Sequence, residues 1–201
     1  MEPQVTISQY SARDMRHILS LAKSTIPDMK ISRITDHEKA AIMKTFLIRG
    51  KYSIFKQSFI TCQIVCSRFV MQELLLRDFH VSRVKEASNG EVLKFVLPAA
   101  VTNDAVVKAN FAKVCKNVKT LYESLHGKVM DAELGYFLPA CVQTHTSVTG
   151  NYFDWLRFCK LQYYNNVSDE LKIISSTTFD ELNRTCAPVF NKTNIRLKFQ
   201  L

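Results

Sequence analysis

Cys141 and His145 set a thiol and an imidazole near each other in the chain, the residue types of nucleophilic catalysis. They fall in a Val- and Thr-rich run, Ala140 to Thr149, whose composition predicts an extended strand. A separation of four residues puts both on one strand face, yet further apart than a hydrogen bond spans. They therefore read as strand residues. Cys62 and Cys66 share a strand face by the same spacing. No two of the six cysteines form a CxxC pair and the five histidines are scattered, so no metal site is expected. Buried, reduced thiols of a cytosolic protein are the expectation. Patterns for a serine-hydrolase elbow, a P-loop, an HExxH helix or a dinucleotide glycine turn do not occur.

The cations suggest a different chemistry. The net charge is +9, which favours anionic partners without choosing among nucleotides, nucleic acid and acidic protein. Lys108, Lys113, Lys116 and Lys119 occupy one face of a predicted helix. No acid follows Glu181, whereas Arg184, Lys192, Arg196 and Lys198 do, which gives a basic C-terminal tail from about residue 188. Solvation explains both features without a ligand, and no aromatic interleaves the lysines on their face as single-strand binding would favour.

These residues need elements to hold them. Ser11 to Thr25 reads as a helix, with Ser11 and Asp14 as a capping box and Pro27 as its stop. Asp36 to Arg49 reads as a second, with Thr35 and Glu38 as the cap pattern and Gly50 at its end. Phe55 to Cys66 alternates with high β-branched content and is predicted as a central or covered strand. Phe69 to Arg77 suits a short helix, and Glu91 to Leu97 a second strand ended by Pro98. Asn103 to His126 is a long helix with Val107, Phe111, Val114, Val118, Leu121, Tyr122 and Leu125 on one apolar face. Asp131 to Phe137, Asn151 to Gln162 and Ser168 to Cys186 complete the helical segments. The expectation is one α+β domain over residues 1–201. No secretory signal and no apolar run long enough to span a bilayer is visible, so an intracellular, cytoplasmic protein without membrane contact is expected.

Leu138-Pro139-Ala140-Cys141-Val142-Gln143-Thr144, then Thr149-Gly150-Asn151, then Phe158-Cys159-Lys160-Leu161 follow an order that resembles the late segment of flavin-dependent thymidylate synthases, the ThyX family. Three further pieces carry the resemblance, which runs from about Ser24 to Leu171. Phe46-Leu47-Ile48-Arg49-Gly50 is followed by Ser53-Ile54-Phe55-Lys56-Gln57, where the family has a Pro-Phe-Glu-His-like turn. Phe69-Val70-Met71-Gln72-Glu73 stands where the family has Phe-Val-x-Arg-Gln, and Glu170-Leu171 where it has Glu-Ile. The resemblance implies a ThyX-like domain, an antiparallel sheet packed with several helices. It also implies reductive methylation of dUMP with FAD, a nicotinamide cofactor and a folate methylene donor. The family's usual form is a homotetramer with active sites between subunits.

The family's signature is Arg-His-Arg-x-x-Ser-x-Asn-Glu-x-Ser-x-Arg, in which guanidiniums grip phosphates and polarise the pyrimidine. Here the Arg-His-Arg positions read Leu76-Arg77-Asp78, the serine falls on Val81, and Asn-Glu falls on Arg83-Val84. The following Ser-x-Arg has no clean match in Glu86-Ala87-Ser88-Asn89. The flavin-contacting His corresponds to Gln57. Asn151 is kept, but later Arg sites read Phe153 and Gln162, and a His site reads Asn166. A leucine cannot hold a phosphate, and an aspartate repels one.

The site residues that the resemblance implies are Asn151 and Gln57 for a cofactor and Arg77, Arg83 and Glu170 for a substrate. No catalytic residue is assigned. Local structure explains three of them without a ligand and is the favoured account of each: Arg77 as a helix-end cation, Glu170 as a first-turn acid, Asn151 as an N-cap. The leading expectation is a ThyX-like scaffold that has lost the family's catalysis and serves as a structural, assembly or regulatory subunit of a homo- or hetero-oligomer, with FAD bound only if the ancestral site is retained. The alternatives are a divergent enzyme of nucleotide metabolism and a basic nucleic-acid-binding protein.

Overall fold

The computed structural model describes residues 3–10, 16–23, 34–85 and 93–197. Four strands, β1 (Gln4–Tyr10), β2 (Phe59–Ser67), β3 (His80–Lys85) and β4 (Gln143–Asn151), form an antiparallel sheet in the order β1-β2-β4-β3. The β2–β4 ladder runs unbroken from Phe59 opposite Asn151 to Ser67 opposite Gln143. It fixes which face each side chain takes. Ile60, Cys62, Ile64 and Cys66 are buried on one face, as the alternation requires. On the other face Thr61 meets Thr149 through hydroxyls 2.8 Å apart.

The first described helix, α1 (Arg16–Lys23), occupies the middle of the segment expected to be helical; Ser11 and Asp14 lie outside the described residues. α2 (Asp36–Ile48) starts at the expected capping box: Thr35 accepts from the Glu38 N–H, and the Glu38 carboxylate accepts from the Thr35 N–H at 2.7 Å. α3 (Arg68–Leu75) follows β2 directly.

The strand expected from Phe55 starts later. Tyr52–Gln57 is a 3₁₀ turn that buries the consecutive residues Ile54 and Phe55, which a strand would have sent to opposite faces. The strand expected over Glu91–Leu97 is reduced to one bridge, Phe95 opposite Val142; residues 91 and 92 are outside the described residues. β1 and β3 lie where no strand was expected.

Four helices lie between β3 and the late core: α4 (Ala99–Thr102), α5 (Ala105–Leu125), α6 (Asp131–Leu134) and, after β4, α7 (Tyr152–Cys159). α5 is capped by Asp104, which accepts from two backbone N–H groups, and Gly127 follows it at φ 76°. Its apolar face is largely uncovered: Tyr122 alone is buried, and Val107, Val114 and Leu121 are 44%, 58% and 45% exposed.

α8 (Asp169–Cys186) and α9 (Lys192–Arg196) close the chain. The main core joins α1, α2, α3, α7 and α8 to β2, with Tyr152, Trp155, Phe55, Phe158 and Phe190 its largest fully buried side chains. Each such burial stabilises by roughly 1.5–3 kcal/mol. The segment after residue 188, expected to be solvated, is folded against this core, with Val189, Phe190 and Ile195 buried. A smaller cluster of Leu93, Tyr122, Leu134 and Val142 sits apart. No helix among the described residues is long and apolar enough to cross a membrane.

Candidate functional site

Arg77 follows the end of α3, where the chain turns towards β3. Phe79 anchors this turn, its ring centroid 4.6 Å from that of Trp155 and 5.7 Å from that of Phe158. The anchor depends on Gly150 in β4, where a Cβ would come within 2.4 Å of two Phe79 ring carbons. Trp155 is held in turn by its indole N–H, which donates to the Ile60 carbonyl at 3.0 Å.

Beside this turn lies an open cleft of about 800 Å³, within the range of small-ligand sites. Three other elements complete its wall: α7 with Asp154, Arg157 and Phe158, the 3₁₀ turn Lys160–Tyr163 with Tyr164, and the end of α9 with Arg196 and Leu197. Four cations, Arg77, Arg157, Lys160 and Arg196, thus face two carboxylates, Asp78 and Asp154. The carboxylates are committed: Asp78 takes the Arg157 guanidinium at 2.7 Å, and Asp154 accepts from the Asn151 N–H at 3.3 Å. Burial pushes the Asp154 carboxyl up, against the hydrogen bond from Asn151.

Arg77 reaches Glu73 at 3.9 Å, while its buried Nε has no hydrogen-bond partner. The Arg196 guanidinium lies 5.8 Å from the Tyr163 ring centre. Lys160 donates to the Leu197 carbonyl, and burial pulls its ammonium down to about 8. Chemically the cleft offers guanidiniums for an anion and half-exposed tyrosine rings, Tyr163 and Tyr164, for a flat group.

Of the expected site residues, Arg77 alone lines this cleft. Asn151 caps α7, its side-chain oxygen accepting from the Asp154 N–H at 3.0 Å. Glu170 lies in the first turn of α8 and accepts from the Ser67 N–H and hydroxyl, both at 2.7 Å. Gln57 is exposed at the end of its 3₁₀ turn. Arg83 pairs with Thr146 in the sheet, and its side chain lies outside the described residues. Arg157, Tyr163 and Tyr164 belong to none of the sequence motifs, and Lys160 stands in one, Phe158 to Leu161, without a role assigned to it. Arg196 belonged to the basic tail, whose return to the core no local pattern announces.

Cys141 precedes β4, and its thiol meets that of Cys115 on α5. Burial pushes Cys62 and Cys66 up to about 12. Among the described residues no group of three His, Cys, Asp or Glu gathers to hold a metal.

Compared with known families, the chain matches the model described as thymidylate synthase complementing protein over residues 6–189. No curated protein matches it. The match extends past both ends of the resemblance carried by the motifs. The family's chemistry implies FAD, and the residues at the corresponding positions do not fit its diphosphate. Arg77 is the one guanidinium among Leu76-Arg77-Asp78, Asp78 adds a carboxylate beside it, and the Asn151 oxygen is already used by the helix cap.

Proposed function

The chain belongs to the thymidylate synthase complementing protein family, and we propose that it keeps the family framework as a structural, assembly or regulatory subunit without the family's usual catalysis. The observation that carries this reading is the commitment of the surviving polar residues to the fold. Asn151 caps α7, Glu170 ties α8 to the start of α3, and Asp78 stands where the signature has an arginine. A missing cation at a phosphate or a developing negative charge normally removes kilocalories of binding or transition-state stabilisation. The test is the visible spectrum of the purified chain, with and without added FAD and dUMP. A colourless protein whose spectrum does not respond is expected. A yellow, stoichiometric flavoprotein would overturn the reading.

A second reading is a nucleotide site in the cleft, favoured by Arg77 and Arg196 lining it together with Tyr163 and Tyr164. In it the guanidiniums take phosphate and a tyrosine ring stacks on the base. Quenching of intrinsic fluorescence by nucleoside mono- and diphosphates, weakened by Arg196→Ala and steeply salt-dependent, is its signature. Absence of quenching at low salt removes it. If instead a single-stranded oligonucleotide binds, with affinity falling steeply as salt rises, the nucleic-acid reading takes its place.

A further inference from the structure

We propose that Cys115 and Cys141 are an oxidisable pair, which a low-molecular-weight disulfide of the glutathione class closes into a bond between the middle of α5 and the turn that leads into β4. Neither residue lines the cleft.

The two thiols are in contact, the Cys115 S–H donating to the Cys141 sulfur. Each rises from backbone that is already fixed. Cys115 stands midway along α5. Cys141 sits in a turn tied down on every side. The Phe69 N–H donates to the Ala140 carbonyl at 2.9 Å, the Val96 N–H to the Cys141 carbonyl at 2.8 Å, and the Arg68 N–H to the Val142 carbonyl at 2.9 Å. What remains is approach of the sulfurs to about 2.05 Å, which is a matter of side-chain rotation.

The other four cysteines do not compete. Cys62 and Cys66, four residues apart on β2, have Cα atoms about 13 Å apart, beyond the limit of about 7 Å for a disulfide. Burial and, after it, Cys62 push the Cys159 thiol up, but both residues are 0% exposed, so an oxidant does not reach them. Cys186 is buried against the Tyr152 hydroxyl at 3.5 Å. The two thiols that meet are thus the two that solvent reaches.

The hydrogen bond sets the order of steps. Burial raises both thiols, Cys115 to about 11, and at Cys141 hydrogen bonds from its own backbone N–H and from Cys115 oppose that rise. Cys141 is therefore the attacking sulfur. Its thiolate takes one sulfur of glutathione disulfide, the S–S bond of the oxidant breaks, and glutathione leaves as a thiolate that takes up the proton Cys141 released. Cys115 then gives its proton to water. Its thiolate attacks the Cys141 sulfur of the mixed disulfide and expels the second glutathione, which regains that proton. Two electrons leave the chain, and one glutathione disulfide becomes two glutathiones. Because the attacking thiolate is scarce, closure is slow.

The bond lands where α5 is weakly held. Tyr122 is the one buried residue of α5, and the cluster that receives it, Leu93, Leu134 and Val142, is separate from the main core. Few buried contacts mean easy local opening. A link from Cys115 to Cys141 encloses the second half of α5 and all of α6, so opening of this part becomes rarer in the oxidised chain. The redox state of one thiol pair thereby sets how firmly α5 is held.

The test is incubation of the reduced full chain with glutathione and glutathione disulfide over a series of ratios. Acid quenching, thiol counting in denaturant and a non-reducing digest follow. The oxidised chain is expected to keep four of its six thiols, the pair having closed, with a mass lower by two hydrogens and one linked pair of peptides joining Cys115 to Cys141. Amide exchange over residues 115–125 is expected to slow by about tenfold or more on oxidation and to recover on reduction. Cys115→Ser should stop at a glutathione adduct on Cys141, and Cys141→Ser should leave the exchange rate insensitive to the oxidant. Both positions are half-exposed, so the fold is expected to survive. Should a serine variant unfold, the wild-type peptide map and exchange rates decide alone. Six thiols at every ratio, a stable glutathione adduct in wild type, or a link to any core cysteine would overturn the proposal. So would a Cys115–Cys141 bond that leaves the exchange of α5 unchanged. None of these outcomes bears on flavin binding, so failure here is separable from failure of the non-catalytic reading.

Discussion

Glu170 holds Ser67 with both carboxylate oxygens, one accepting from the backbone N–H and the other from the hydroxyl, each at 2.7 Å. Ser67 is also the N-cap of α3, its hydroxyl oxygen accepting from the Val70 N–H at 3.2 Å. One acid therefore fixes the geometry at which β2 passes into α3 and ties it to the first turn of α8. Both bonds are charge-assisted. Glu170→Ala is expected to destabilise the chain by about 2–4 kcal/mol, because two donors lose a charged partner in a half-buried place. Glu170→Gln keeps an acceptor for one of them and should fall well short of that loss. Urea denaturation of the three proteins checks the order. Equal stability of Glu170→Ala and wild type would show that the latch contributes nothing.

The Phe79–Gly150 contact gives a second prediction. Gly150→Ala places a methyl group 2.4 Å from the Phe79 ring, so the ring must leave Trp155 or the sheet must bend. A cost of about 1–3 kcal/mol is expected, as for other overpacked cores. Pairing it with Phe79→Ala removes the obstruction, so the double variant should be less destabilised than the two single losses added together. Additive losses in a double-mutant cycle would contradict a direct contact. Near-ultraviolet circular dichroism of Trp155, the chain's one tryptophan, reports ring displacement independently.

Much of this framework was legible from the sequence. The Thr35–Glu38 capping box, the helix capped by Ser168 and the central position of β2 follow from residue type and period alone. β1 and β3 were not legible, because short strands at the sheet edges take their order from the ladder rather than from their own pattern. The end of the 3₁₀ turn at Tyr52–Gln57 hid inside the expected strand, since Phe55 and Gln57 continue the alternation of Phe59 and Thr61. The cleft was the least legible part. Its walls come from three stretches separated along the chain, residues 76–79, 154–164 and 195–197, and Arg196 reaches Tyr163 only because Ile195 beside it is buried. α5 shows the opposite failure: its periodicity marked an apolar face correctly, and periodicity alone does not say what covers it.

Lys160 gives a pH prediction with a definite sign. Burial lowers its folded-state pKa to about 8 from the ordinary 10.5. Between those values the unfolded chain binds the extra proton, so stability rises with pH across the window. Below about 8 both states are protonated and the penalty of burying the charge is fully present. Lys160→Met removes this dependence. The urea midpoint of wild type, measured relative to Lys160→Met, is expected to climb between about pH 8 and pH 10.5, the window those two pKa values define. Taking the difference cancels the opposing trend from buried thiols. A difference that is flat or falls over this range would show that the ammonium is not desolvated.

The thiols supply the last prediction. Cys62, Cys66, Cys159 and Cys186 are buried in the main core, and burial raises all four above the ordinary thiol value. A thiol reacts as its thiolate, so these four combine closed access with a scarce nucleophile. Cys115 and Cys141 are half-exposed, but burial pushes Cys115 up to about 11. Titration of the native chain with a chromogenic disulfide near pH 8 should therefore give slow reaction at no more than the two half-exposed thiols, while denaturant releases all six. Because all four buried thiols sit among the large aromatic and aliphatic side chains of one core, they should become reactive together, at the denaturant concentration where Trp155 fluorescence changes. Native reaction at three or more sites, or release of the core thiols well before the tryptophan transition, would place at least one of them outside the packed interior.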